Sequence, residues 1–268
     1  PSGEPVYRLL GGSDAGEIDV YVTFGLHIYT PEEEAEAARR LVARGHKAFK
    51  LVGAAENRGQ IVDHDAARVK ALRETVGDGV KIMIDGRAGF DLYHAKLLAR
   101  KIEPYDVAFF DEPLIAKDPQ ALHELRRSNP RVPIASRAFS GNILGNRDFI
   151  AQRAVDVMGS SVLDGGGYTQ SIKVAHMAEM YQLPLVTGGG WHLQNAHLIA
   201  AVNNGWMTEI MVVSGLLSDA LFLHSLKPQN GRLRLSDEPG LGIRLNEDAV
   251  REGFERGRAQ ERSKARGM

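Results

Sequence analysis

The sequence predicts an α/β protein of the closed TIM-type (β/α)8 barrel class. Three observations carry this: about eight short apolar runs, amphipathic helical stretches between most of them, and charged residues just after several of the runs. Such alternation implies parallel strands joined by helical crossovers. The strand count and the polar residues at strand ends favour a closed barrel over an open doubly wound sheet, and 268 residues suit one such unit.

The first run is Asp19–Phe24. A helix should then open at Thr30-Pro31-Glu32-Glu33-Glu34, because threonine caps, proline fits the first turn and acids favour the positive end of the helix dipole. Ala35, Ala38, Leu41 and Val42 recur at helical spacing, and Gly45 stops the run. Further strands are expected at about Lys47–Val52, Lys81–Ile84, Val107–Phe110, Val132–Ala135, Val155–Met158, Leu185–Thr187 and Glu209–Val213. Helical stretches fall at Ala66–Val76, Tyr93–Lys101, Gln120–Arg127, Ser171–Tyr181 and Ala196–Asn203. Lys227–Asn246, rich in Gly and Pro, reads as an ordered closing segment. Arg251–Met268, highly charged and poor in apolar residues, reads as a surface helix or a partly disordered tail.

Composition narrows the function classes. Hydrophobic residues make up 43% and charged residues 25%, an ordinary globular balance. A net charge of −1 gives no reason to expect a nucleic acid or anionic membrane partner. The absence of cysteine excludes disulfides, thiolate metal sites and a cysteine nucleophile. No apolar run reaches the roughly 18 residues of a membrane span, and no signal-peptide pattern opens the sequence, so a soluble cytoplasmic protein is expected.

In such a barrel, residues at the C-terminal strand ends converge on one mouth. Lys50 and Val52 follow one another on one face of the second strand. Asp85 and Arg87 end the third, Asp111-Glu112-Pro113 the fourth and Ser136-Arg137-Ala138 the fifth. The sixth leads to Ser160-Ser161 and Asp164, the seventh into Gly188-Gly189-Gly190-Trp191-His192, and the eighth carries Glu209. Any one of these acids could be a helix cap, and His46, His94, His123, His176 and His224 read as surface or packing residues. Together, Lys50, Asp85, Asp111, Arg137 and Glu209 are hard to ascribe to caps; charges gathered at one mouth shift one another's pKa values, as acid/base chemistry requires.

Several motifs stand in a recognisable order: Pro5–Gly12 (PVYRLLGG), Gly45–Gly53 (GHKAFKLVG), Ile84-Asp85-Gly86 and Phe110–Pro113 (FDEP). Pro133-Ile134-Ala135, Ala151–Val157 (AQRAVDV), Asp164–Thr169 (DGGGYT) and Pro239–Ile243 (PGLGI) follow. In order and spacing the chain resembles the C-terminal barrel of the enolase superfamily, mandelate racemase/muconate lactonizing branch. The resemblance implies residues 1–18 as a linker from the end of a capping domain, 19–250 as barrel with closing segment, and 251–268 as a charged tail. The capping domain itself lies outside this sequence: either it has been removed, or it is a separate chain, or the sequence is a fragment of a longer one.

The resemblance further implies Mg²⁺ held by three strand-end carboxylates, stabilising the enolate formed when a base removes a proton next to a carboxylate. Asp85 and Asp111 fall on two ligand positions. The third, in the pattern PIA-x-G-E, becomes Pro133–Ala138 (PIASRA), without its carboxylate. The paired lysines become Lys50 and Val52, the sixth-strand Asp falls near Ser161, and the seventh-strand His falls in Gly188–Gly190. We therefore expect a lyase or isomerase of dehydratase, racemase or cycloisomerase type, acting next to the carboxylate of a small acid. Lys50, His192 and Glu209 are its candidate proton-transfer residues, with Asp85 and Asp111 at a residual metal position. Arg87 and Arg137 are expected to bind the substrate carboxylate and to supply charge that Mg²⁺ supplies elsewhere, leaving a metal-free or weakly metal-binding site. The alternative is a non-catalytic barrel that binds a small carboxylate or serves as a structural subunit. A homo-oligomer is expected from the resemblance.

Overall fold

A computed structural model describes residues 2–13, 16–25, 29–53, 58–115, 117–138, 143–223 and 226–266 (backbone only for 58–60 and 259–266). Eight parallel strands run in chain order: β1 Glu17–Phe24, β2 Ala48–Val52, β3 Lys81–Asp85, β4 Val107–Asp111, β5 Ile134–Ser136, β6 Val157–Ser160, β7 Leu185–Thr187 and β8 Gly205–Met211. β1 pairs with both β2 and β8, which closes the barrel. A short ninth strand, β9 Arg232–Arg234, pairs antiparallel with the start of β1, so the closing segment covers the end of the barrel opposite the mouth.

Helices separate the strands: α1 Val6–Leu9, α2 Pro31–Ala43, α3 Arg58–Val76, α4 Leu92–Ile102, α5 Pro119–Ser128, α6 Ile143–Ala151, α7 Gly167–Met180, α8 His192–Ala201, α9 Val212–Leu221 and α10 Glu247–Arg266. Thr30 caps α2 as expected. Its side chain accepts from the Glu33 N–H while the Glu33 carboxylate accepts from the Thr30 N–H. Asp91 and Asp118 cap α4 and α5, their side chains accepting from first-turn N–H groups. The strand expected at Glu209–Val213 instead spans Gly205–Met211, and Val212 begins α9. The run Met211-Val212-Val213 looks strand-like in isolation, but Met211 is the last extended residue before the chain turns into the helix.

One apolar residue from each strand fills the barrel: Tyr21, Ala48, Met83, Phe109, Ala135, Val157, Val186 and Met207. Side chains alternate across a strand, so the residue two places on points the same way, one layer nearer the mouth. That rule yields Thr23, Lys50, Asp85, Asp111, Arg137, Gly159, Gly188 and Glu209, and all eight line one cavity. The outward-facing partners, among them Val22, Phe49, Leu51, Ile82, Ile84, Phe110 and Ile134, pack under the helices. Among the described residues, no helix is long and apolar enough to cross a membrane.

Candidate active site

The cavity at the mouth has a volume of about 240 Å³. At its centre stands the Lys50 ammonium, almost wholly buried. It lies 2.7 Å from Asp111 Oδ2, 3.0 Å from Glu209 Oε1 and 3.2 Å from Asp85 Oδ2, so three strands deliver carboxylates to one cation. Its Nζ also sits 5.3 Å above the centre of the Tyr21 ring. Burial alone would lower the lysine pKa, but Asp111 and Glu209 outweigh it, and the result lies well above the ordinary value. Lys50 is therefore a fixed positive charge at neutral pH, not a free base.

Asp111 behaves in the opposite sense to an ordinary ion-paired carboxylate. Burial raises its pKa more than Lys50 lowers it, and Asp85 and Glu112 add repulsion, so it rises to about 7. A carboxyl titrating there can take or give a proton at physiological pH. Glu209 is held more tightly. Its Oε1 accepts the Thr23 hydroxyl at 2.5 Å as well as Lys50, and its Oε2 accepts the Gly190 N–H at 2.9 Å.

The two arginines divide. Arg137 Nε donates to Glu112 Oε1 at 2.9 Å and its Nη1 lies 3.1 Å from Asp164 Oδ2, so its charge is already balanced by two acids. Lys117 joins that group, donating to the Arg137 carbonyl at 2.8 Å and standing 3.4 Å from Glu112. Arg87 lies exposed at the rim in a left-handed turn (φ 51°), where its backbone N–H donates to Asp85 Oδ1 at 2.8 Å. Among the described residues no carboxylate pairs with its guanidinium, which leaves Arg87, not Arg137, as the cation open to an incoming anion.

His192 is not at the mouth. It opens α8, is buried away from the cavity, and its neighbours are the backbone carbonyls of Leu226 and Gly190; burial holds its pKa below the ordinary value. The Gly188–Gly190 loop does not bend it inward, because Gly190 is itself turned toward Glu209 by its N–H bond. His94 and His123 serve as packing and capping residues, bonded to Asp91 and to the Arg153 carbonyl. His224 lies outside the described residues.

Sequence reasoning missed Tyr21, Thr23 and the role of Glu112. Tyr21 and Thr23 lie on the inward face of β1, and counting by twos from any interior residue would have found them. Glu112 was visible as the second acid of FDEP but gave no sign that it would reach Arg137. A buried network outside the cavity also supports the mouth. Arg68, on α3, pairs with Glu34 and Asp65, and donates to the Val52 carbonyl at 2.9 Å and the Gly25 carbonyl at 2.5 Å. It thus ties together the ends of β1 and β2, which carry Thr23 and Lys50.

With barrel and mouth defined, similarity to known proteins places the chain in a class. The family described as Enolase C-terminal domain-like matches residues 33–249, and the chain belongs to that family. Arabinonate dehydratase of Saccharolobus solfataricus is 30% identical over 257 residues, covering 93% of this chain and 66% of that protein. N-succinyl-L-Arg/Lys racemase of Bacillus cereus is 28% identical over 253 residues, with the same two coverages. The chain thus spans just under two thirds of the length of these relatives. Among solved structures, L-talarate dehydratase from Polaromonas sp. JS666, complexed with Mg and L-glucarate, superposes with a TM-score of 0.82 at 26% identity. That match covers 93% of this chain and 67% of the other.

Magnesium accompanies that relative, so its fit to these residues can be tested. Asp85 and Asp111 each already give an oxygen to the Lys50 ammonium, and a fixed cation within 3.2 Å of both repels a second one. At the end of the fifth strand Ala138 offers only a methyl group. The inward residue beside it is the cation Arg137. Among the described residues, no group of three or more candidate ligand side chains is placed to hold a metal. A divalent ion wants several hard oxygens, and the arrangement does not fit one.

Proposed function

We propose that this barrel acts on a small carboxylic acid as a lyase or isomerase, moving a proton at the carbon next to the carboxylate without a metal ion. The observation that carries the reading is the buried Lys50 ammonium among Asp85, Asp111 and Glu209, with Asp111 raised to about 7. Arg87 would receive the substrate carboxylate, since a guanidinium fork matches its two oxygens. Asp111 would take the proton from the adjacent carbon. Negative charge would then grow on the substrate carboxylate, where Lys50 and Arg87 are preorganised to meet it. Glu209, held by Thr23 and Gly190, would keep Lys50 in place. The named dehydratases and racemase among the relatives support proton abstraction of this type.

A second reading has its own observation. Val52, Ala138, Ser161 and the run Gly188–Gly190 present no titratable group at four places where the resemblance implies one, which suits a barrel that binds an acid without turning it over. Exchange in D₂O separates the two. The protein is incubated with a panel of sugar acids and N-acyl amino acids while proton NMR follows loss of the signal next to the carboxylate. Exchange that Asp111→Asn abolishes, with ligand-induced thermal stabilisation retained, supports catalysis. Stabilisation without exchange for every acid supports the binding barrel.

A further inference from the structure

We infer that a second cavity beside the mouth receives the carbon tail of the acid whose carboxylate head sits at the mouth, and that this tail is alkyl or aryl. The inference rests on the mouth reading above and adds the substrate class. The second cavity has a volume of about 330 Å³, within the range of small-molecule pockets. It lies between the ends of β1, β2 and β8, the helix α2 and the start of α9.

Three residues, Thr23, Val52 and Met211, line both cavities, so the two adjoin. Val52 decides the character of the shared wall. It faces the same way as Lys50, at the position where the family pattern carries a second lysine, and an isopropyl group there joins the two spaces through an apolar surface. Beyond it the wall continues with Phe24, Tyr29, Leu41, Val212 and Val213.

The polar groups in this wall are largely committed elsewhere. Glu34 is spent on Arg68, the Thr23 hydroxyl donates to Glu209, and Arg40 reaches Glu36 at 2.8 Å. That leaves Arg44, exposed at the rim without an ion pair among the described residues, and the hydroxyl of Tyr29. A chain of hydroxyl groups threaded into this space would lose water and find few partners, whereas methylenes or a ring would gain from burial. The sugar acids named for several relatives carry a hydroxyl on most carbons; this second cavity suits an acid that does not.

The test is calorimetric titration of the full chain with 2-hydroxy acids of increasing length, from lactate through 2-hydroxyhexanoate to 2-hydroxyoctanoate. The wild type should bind about threefold to fourfold more tightly per added methylene. Val213→Asp should flatten that series and leave lactate affinity unchanged. Val213 is 66% exposed, so this variant should fold, and Leu41→Gln provides a second lesion on the opposite wall. A flat wild-type series with lactate still bound would overturn the tail assignment and leave the mouth reading standing. No binding by any acid would remove the mouth reading and the tail with it. A flat series together with loss of self-association in Val213→Asp, read by light scattering, would assign the cavity to a second copy of the chain and overturn the proposal.

Discussion

Replacing Lys50 with methionine keeps an unbranched stem, one atom shorter, and removes its charge. In the native site one ammonium, 3% exposed, serves three carboxylates. Removing one partner of a buried ion pair leaves uncompensated charge and costs about 3–5 kcal/mol. Asp111 offers a partial escape. Its folded value of about 7 lies above the ordinary 3.8, so between those values the folded state binds more protons than the unfolded state. This group's contribution to stability therefore falls as pH rises through that window. Lys50 holds the Asp111 value down, so the variant should push it higher and extend the falling slope above pH 7, at up to about 1.4 kcal/mol per pH unit. The full loss should appear at pH 8.5, a melting-point drop of about 6–10 °C for a domain of this size, and up to about 2 kcal/mol of it should be regained at pH 5.5. Urea denaturation of both proteins at the two pH values measures this directly. Equal losses at both, or a loss under about 1 kcal/mol at pH 8.5, would refute a charge-centred account of the mouth.

Arg87→Ala should leave the melting point of the free protein nearly unchanged, since the side chain is exposed, yet abolish thermal stabilisation by lactate in scanning fluorimetry. Arg68→Met should cost about 3–5 kcal/mol in urea denaturation, because Glu34 and Asp65 would be left buried without their cation. Calorimetric titration with Mg²⁺ and Mn²⁺ should show no saturable binding below millimolar metal. Micromolar binding that disappears in Asp85→Asn would restore a metal-assisted site and remove the role given to Lys50.

Much of this was legible in the sequence, for physical reasons that can be traced. Strand and helix periods differ, so eight apolar runs broken by amphipathic stretches read directly as alternating elements, and Thr30 through Glu33 spelled out a capping box. Lys50, Asp85, Asp111 and Glu209 converge because they share the inward face of their strands at the same level. Pairing was not legible. Arg137 and Lys50 are both cations at strand ends, and only the barrel's closure shows that Glu112 and Asp164 take Arg137 while the two aspartates go to Lys50. His192 misled for a related reason. It follows a strand by five residues, but three glycines intervene, and nothing local tells which way such a loop turns.

The open positive charge at the mouth comes from the chain itself, the exposed Arg87 guanidinium and the buried Lys50 ammonium. An ion held by carboxylates can leave; the Arg87 guanidinium beside β3 and the Lys50 ammonium on β2 cannot. Binding of a small acid should then survive exhaustive treatment with a chelator, while added salt, which screens the exposed Arg87, should weaken it. Lactate titrations with and without EDTA, at about 50 mM and 500 mM sodium chloride, separate the two dependences. Loss of binding in EDTA would mean that a metal supplies the anchoring charge after all, and that the lysine among the aspartates gives way to it.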